Sequence, residues 1–448
     1  MVLEVKTIGG YSECGRNCTA VRVDDEVILL DIGLEMENYV KYQQTDRDNL
    51  QRVTFDDLLE VNAVPNVNLL EEWKPMVKAI VPSHGHLDHI GAIPFTAPLF
   101  PDAPIISTPY TIEVIKSILR DERIRLHNRL IGQNTNTTYK ISDKIKIEFV
   151  HVTHSIPHTA TVVIHTPYGK VVYANDYKFD LNPLLGKKPN FARLKELGEE
   201  GVELLLSECL YAHVPMRSPS EAIAKQMLRD VLNGTDVEGK AIICTTFASH
   251  IARIKTLIEL AEKMGRKVVL FGRSLGKYID AAERIRLVNF SKRVDIVTRR
   301  KAIEQYMRKI NKVGADKYFI ICTGHQGEPR AILSRIANGE LPLNLKQDDM
   351  VLFSASVIPV EVSIENRRVL EAHLHKKGIR FFTDLHVSGH GHREDYREML
   401  QIIKPKHIIP CHAGPSFAAN FSDLAQQMGY KEGETIHIME NGKTFKLE

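Results

Sequence analysis

Four titratable side chains fall within six residues in the stretch SHGHLDH: His84, His86, Asp88 and His89. Imidazole and carboxylate together form the ligand set of zinc or manganese, and the mixture suits a hydrolytic rather than a structural site. Such a cluster is costly to bury without a cation. It follows the apolar stretch KAIVP, and a loop leaving a strand end can bring several ligands to one point. His154 in VTHSIPH follows KIKIEFVH. Asp176 in YANDYKFD follows KVVYA, and His412 closes HIIPCH. Alone, each would read as a hydrogen-bonded loop residue; beside the cluster at residues 84–89, ligation is the better reading. Seven ligands, with a carboxylate free to bridge, imply two divalent ions. Such a pair activates water and stabilises the leaving oxygen of a phosphodiester.

The elements that must hold these groups can be read from apolar patterning. Strands are expected at Glu26–Asp31, Lys78–Ser83, Lys144–His151 and Lys170–Ala174, the third alternating apolar and polar as a half-buried strand does. Residues 34–75 read as a polar, irregular insertion ending near Trp73, the only tryptophan, which is expected in the core. From about residue 240, strands and helices alternate: AIICTTF, SHIARIKTLIELAEKMG, KVVLFG, then VDIV, KYFIICTG and MVLFSAS with helices between. That order implies parallel β-α-β units and a second α/β sheet. Near residue 380 the chain is expected to return to the first domain through a strand RFFTDL, a His-rich loop, HIIPCH, a helix and TIHIME at the end. The boundaries expected are 1–205, 206–385 and 386–448.

Composition sets outer limits. The 448 residues are 43% hydrophobic and 26% charged, which is globular rather than disordered. No apolar run is long enough to span a bilayer, and MVLEVKTIGG has no signal-peptide pattern, so a cytoplasmic protein with no membrane contact is expected. The six cysteines form no C-x-x-C pair and read as free thiols. The formal charge of +3 argues against a strongly basic nucleic-acid binder. Resolved along the chain, however, residues 206–385 carry +10 and the rest −7.

At Asp31 in DIG, the HGHLDH run, His154 and Asp176, the sequence resembles the metallo-β-lactamase superfamily. The α/β segment after Glu208 resembles its β-CASP branch, whose members act on nucleic acids. More narrowly, it is similar to the ribonuclease J family in its shorter archaeal form, through IGGYSECGRNCTAVRVDDEVILLDIGL, VPSHGHLDHIGAIP, TTFASHIARI, TGHQGEPRAILSRIA, LFSASVIPVEVSIENR and HVSGHG. These stretches span nearly the whole chain. The chain lacks the N-terminal RNA-binding extension of one archaeal group, which argues against that group. It ends at Glu448 without the extra C-terminal domain of bacterial members, so dimerisation through that domain is not expected, although a homodimer is.

The resemblance implies an α/β fold, an αββα metallo-β-lactamase sandwich interrupted by a β-CASP domain with a mostly parallel sheet. It implies a 5′→3′ exoribonuclease preferring a 5′-monophosphate end, with endonucleolytic cleavage as a further mode and other RNA-decay proteins as partners. His84, His86 and His154 would hold one metal, and Asp88, His89 and His412 the other, with Asp176 bridging. Zinc is the expected ion and manganese the alternative. Asp31 would orient a ligand rather than bind metal. Glu208 would orient His390, and His390 would contact the scissile phosphate and protonate the leaving oxygen. Asp88, Asp176, Glu208 and His390 are thus the expected catalytic groups.

For substrate, the resemblance points to His386, Val387, Ser388, Gly389 and His390. Glycines let backbone N–H groups approach an anion. Ser354 and Ser356 form a second small polar loop, and Ser249 with His250 sits at a helix N-terminus that would favour an anion. Ser249 as a simple N-cap is an equal reading. His158 reads as a loop or supporting residue, His325 is left open, and His373 and His375 read as solvated. Lys292–Lys301, with five basic residues, reads as a solvated face or an RNA-backbone contact. Two other functions stay open: an endoribonuclease of the cleavage-and-polyadenylation type, and a hydrolase of small esters. The basic segment counts against the second, and the complete ligand set counts against an RNA-binding protein with a dead site.

Overall fold

The computed structural model describes residues 2–45 and 53–447. Its strands are β1 (Leu3–Gly9), β2 (Cys18–Val23), β3 (Glu26–Leu30), β4 (Val77–Val81), β5 (Ile105–Ser107), β6 (Leu130–Gly132), β7 (Thr137–Lys140), β8 (Lys146–His151), β9 (Ala160–Thr166), β10 (Gly169–Ala174) and β11 (Leu204–Glu208). There follow β12 (Ile242–Thr245), β13 (Lys267–Phe271), β14 (Asp295–Val297), β15 (Tyr318–Cys322), β16 (Met350–Phe353), β17 (Arg380–Phe382), β18 (His407–Cys411) and β19 (Thr444–Leu447). The described chain forms two compact units, 2–181 with 187–218 and 389–447, and 182–186 with 219–388.

In the first unit, one sheet runs β19-β1-β2-β3-β4-β5-β6 and the other β18-β11-β10-β9-β8-β7. Strict alternation decides what each strand buries. Ile147, Phe149, Val162, Ile164, Val171 and Tyr173 pack with residues of the first sheet such as Val21, Ile28 and Val81. Their neighbours Val150, Val163 and Val172 face the other way, onto Leu194, Leu197, Met399, Leu400, Phe421 and Leu424 of three helices. A strand buried on both faces sends successive residues to two different cores. The helix Pro109–Glu122 covers β5 and β6. The result is an αββα sandwich.

The second unit holds six strands in the order β14-β13-β15-β12-β16-β17, and every pairing is parallel. Parallel neighbours need crossovers, and helices supply them, including Ile251–Lys263, Arg273–Arg284 and Glu361–Lys376.

Several local expectations are corrected. Residues 34–75 are not irregular throughout: they contain helices at Met36–Thr45 and Phe55–Glu60 and the start of a 3-10 segment at Val67–Met76, while 46–52 lie outside the described residues. Thr54 and Asp57 form a capping box that the polar composition concealed. Trp73 is buried, with Lys6 and Arg22 over its ring. RFF does not return to the first sheet; it pairs with β16. At TIHIME, Ile436 makes only isolated bridges, and the closing strand is Thr444–Leu447. The chain passes between units at 218/219 and 388/389, because β11 pairs with β18 as far as Glu208 and Ser218 bonds to Asp395 and His390.

Candidate metal centre

Strand ends in the first unit carry the chemistry. β4 runs out through Pro82 and Ser83 to His84, and a four-residue helix, Leu87–Ile90, then places Asp88 and His89 with His86 at its N-cap. His154 follows β8, Asp176 follows β10, Glu208 ends β11, and His412 follows β18. Asp31, Asp176 and His412 all adopt left-handed backbone, with φ of 57°, 56° and 58°. That conformation is uncommon for residues with a Cβ, and each time it sharply turns a side chain off the end of a strand.

The side chains meet at Asp176, which is 1% exposed. Its Oδ2 lies 3.3 Å from His84 Nε2, 3.3 Å from His89 Nε2 and 3.4 Å from His154 Nε2, and its Oδ1 lies 3.4 Å from His412 Nε2. His86 Nδ1 is 3.2 Å from His84 Nε2 and 3.0 Å from His154 Nε2. Among the described residues, three groups could hold a cation: His84, His86, His154 and Asp176; Asp88, His89, His412 and Asp176; and, smaller than either, Asp176, Glu208 and His390. Burial holds His86 down to about 3, with His84 adding to the effect, and burial likewise lowers His154. Imidazole nitrogens gathered this closely around one buried carboxylate, with His86 and His154 disfavoured as cations, form a donor set that a metal cation would accommodate. Asp176 Oδ1 has no hydrogen-bond partner, another mark of a donor set made for metal.

Asp31 is fully buried and belongs to none of the candidate metal-holding groups. Its Oδ2 sits 2.7 Å from His89 Nδ1 and accepts from Tyr173 at 2.8 Å, and its Oδ1 accepts from the Ser83 N–H at 2.7 Å. It thereby fixes the His89 ring with Nε2 turned to the cluster. Gly33 is required by proximity, since a Cβ there would lie 1.6 Å from the Asp88 carbonyl oxygen.

Beside the cluster, Glu208 Oε2 is 2.8 Å from His390 Nδ1, and Glu208 Oε1 accepts from the Tyr177 N–H at 2.7 Å. Burial pulls His390 down, but Glu208 and Asp176 outweigh it and lift the imidazole to about 9. Its Nδ1 is thus turned to Glu208, which sets the orientation of the ring. Gly389 packs tightly: a Cβ there would fall 2.7 Å from Ser155 Oγ.

One supporting residue escaped the sequence reading. Asn17, 1% exposed, donates from Nδ2 to the Asp88 carbonyl at 3.0 Å, and its amide lies against His412 Nδ1, with Nδ2 at 2.9 Å and Oδ1 at 3.2 Å. An asparagine among SECGRNC carries no local signal of a partner 395 residues away.

The remaining expected substrate residues lie in the second unit. His386, Val387 and Ser388 follow β17, and Ser354 and Ser356 follow β16. Ser354 is fully buried, with Oγ donating to the Leu385 carbonyl at 2.8 Å, whereas Ser356 is exposed. Ser249 is not the cap of its helix; His250 occupies that position. His325 is 7% exposed, its ring 4.2 Å from that of Phe247, and neither ring nitrogen has a partner. Burial lowers His158 to about 4, and it belongs to none of those three groups.

Family models match in three places: "Metallo-beta-lactamase superfamily" over 11–195, "Ribonuclease J, beta-CASP domain" over 239–370, and "Zn-dependent metallo-hydrolase RNA specificity domain" over 359–439. The chain is 42% identical to ribonuclease J of Methanocaldococcus jannaschii, covering 100% of this chain and 99% of the relative. It is 40% identical to ribonuclease J of Pyrococcus abyssi, covering 100% and 97%. The chain belongs to the ribonuclease J family. The likeness extends to bacterial ribonuclease J 1 of Streptococcus pyogenes, at 33% identity over 99% of this chain and 74% of that one. A solved Enterococcus faecalis protein of unknown function covers the whole chain with a TM-score of 0.65 at 18% identity, a likeness of fold alone. The metallo-β-lactamase match implies divalent metal binding, and it covers every residue of the two four-residue candidate groups except His412, which lies in the 359–439 match. No described helix is long and apolar enough to cross a membrane.

Proposed function

We propose that this chain is a metal-dependent exoribonuclease that degrades RNA 5′→3′ and prefers a 5′-monophosphate end, with internal cleavage as a second mode. Family membership makes it a hydrolytic ribonuclease with RNA as substrate, and favours that reading over a small-ester hydrolase or a cleavage-and-polyadenylation nuclease. The observation that carries the mechanism is the convergence of five imidazoles and the Asp88 carboxylate around Asp176, with Glu208–His390 beside them.

In this reading, His84, His86 and His154 would hold one divalent ion and Asp88, His89 and His412 a second, with Asp176 common to both sets. Zinc suits the imidazole-rich donors, and manganese is the alternative. Such ions supply Lewis acidity and lower the pKa of water. Asp31 and Asn17 hold the His89 and His412 rings to their task. His390 faces the scissile phosphate and delivers a proton to the leaving oxygen, with Glu208 holding its orientation. The loops at His386–Gly389 and Ser354–Ser356 bind the RNA, Ser354 from beneath. The six cysteines are free thiols, which suits a cytoplasmic setting. A homodimer belongs to the same reading, on the family likeness, and light scattering on the purified chain decides it.

The test is digestion of RNAs labelled at either end and bearing a 5′-monophosphate, 5′-triphosphate or 5′-hydroxyl, with Mn²⁺ or Zn²⁺ added to metal-depleted protein. Stepwise release of mononucleotides from the 5′-monophosphate substrate is expected. Release from the 3′ end, or internal products alone, overturns the direction. Wild-type cleavage by Asp88→Ala overturns the metal assignment.

A further inference from the structure

Arg253 is the largest fully buried side chain among the described residues, and the chemistry above gives it no role. It sits in the first turn of the helix Ile251–Lys263. Its Nε and Nη2 meet the two Glu221 oxygens at 2.5 and 2.8 Å, a bidentate pair. Its remaining nitrogen, Nη1, donates to the Ser354 carbonyl at 3.0 Å, to Ser354 Oγ at 2.7 Å and to the Leu385 carbonyl at 3.2 Å. Ser354 Oγ in turn donates to that Leu385 carbonyl at 2.8 Å, and Thr246 Oγ1 donates to the Ser354 carbonyl at 3.0 Å. Burying a guanidinium and a carboxylate is expensive, and an ion pair alone is a poor reason for it. The pair's position supplies another reason. Ser354 and Leu385 are the roots of two loops that leave neighbouring strands, β16 and β17. Those loops carry Ser356 and His386–Ser388. The planar fork of Arg253 ties both roots to one point, with Glu221 fixing the fork.

We propose that Arg253 is a positioning residue for RNA binding, setting the spacing of the Ser354–Pro359 loop and the His386–Ser388 segment. The proposal rests on the reading that these two loops touch the RNA. Lysine keeps the charge but cannot hold both carbonyls and both Glu221 oxygens in one plane.

The experiment compares full-length wild type, Arg253→Lys, Ser354→Ala and Glu221→Gln, all metal-loaded, with 5′-monophosphate and 5′-hydroxyl RNA of one sequence. KM and kcat are measured for each substrate, and cooperative thermal unfolding is recorded. Arg253→Lys is expected to raise KM for the 5′-monophosphate RNA about tenfold while kcat stays within about twofold, and to compress the preference for that end. Ser354→Ala should shift KM the same way by less. Unchanged KM in Arg253→Lys, or kcat and KM altered on both RNAs alike with no change in preference, overturns the proposal. If Arg253→Lys loses its cooperative transition, Ser354→Ala and Glu221→Gln decide by the same criteria. A wild type without 5′-end preference would fail the proposed function instead, and the KM comparison would still judge Arg253.

Discussion

At the scale of single residues, Glu208 and Asn17 act through histidines. Glu208 holds His390 Nδ1, so its loss should act on orientation and proton delivery rather than on metal. Glu208→Gln is expected to lower kcat about 10- to 100-fold, with His390→Ala lower still, while metal content by atomic emission stays at wild-type level. Metal loss in both variants would place the pair among the ligands instead. Asn17 should behave in the opposite way. Asn17→Ala is expected to weaken metal binding about 10- to 100-fold in competition with a chromogenic chelator, because His412 and the Asp88 loop lose a common partner. Undiminished affinity would sink that role. The candidate ligands were legible in the sequence because their residue types cluster so densely. Asn17 was not, since an asparagine is ordinary in a loop and only its partners distinguish it.

At the scale of elements, β8 is tied to the helix Phe191–Glu200 and to β9 through one carboxylate. Glu148 accepts from Arg193 Nε at 2.7 Å and lies 2.7 Å from His165 Nε2. Burial pushes Glu148 up, but the hydrogen bonds from His165 and Arg193 outweigh it and bring the carboxyl from 4.5 to about 2. A carboxyl depressed by folding contributes stability above its unfolded pKa and loses it as pH falls towards the folded one. Urea unfolding of metal-depleted protein should therefore show Glu148→Gln losing about 2 kcal/mol less than wild type between about pH 6 and pH 3. Equal slopes would show that the carboxylate is not ionised by its partners. Strands such as β8 and β10 were legible from apolar runs and alternation. The helices at 36–45 and 55–60 were not, because short polar helices lean on caps and neighbours rather than on an apolar stripe.

At the scale of the whole molecule, charge is unevenly placed along the chain, +10 over residues 206–385 against −7 elsewhere. RNA affinity should fall linearly with the logarithm of salt concentration. Arg299→Ala with Arg300→Ala, in an exposed basic stretch, should flatten that slope by about 1.4. An unchanged slope would return that stretch to a solvated face. The sequence by itself determined the ligand types, the parallel β-α-β segment and the family resemblance, because these depend on residue chemistry and short-range period. Only the tertiary structure decided that RFF pairs in the second sheet, that Ser354 is anchored beneath its loop by Arg253, and that Asp31 and Asn17 steer His89 and His412. Each depends on which distant backbones fold against one another, and contacts across hundreds of residues leave no period in the chain.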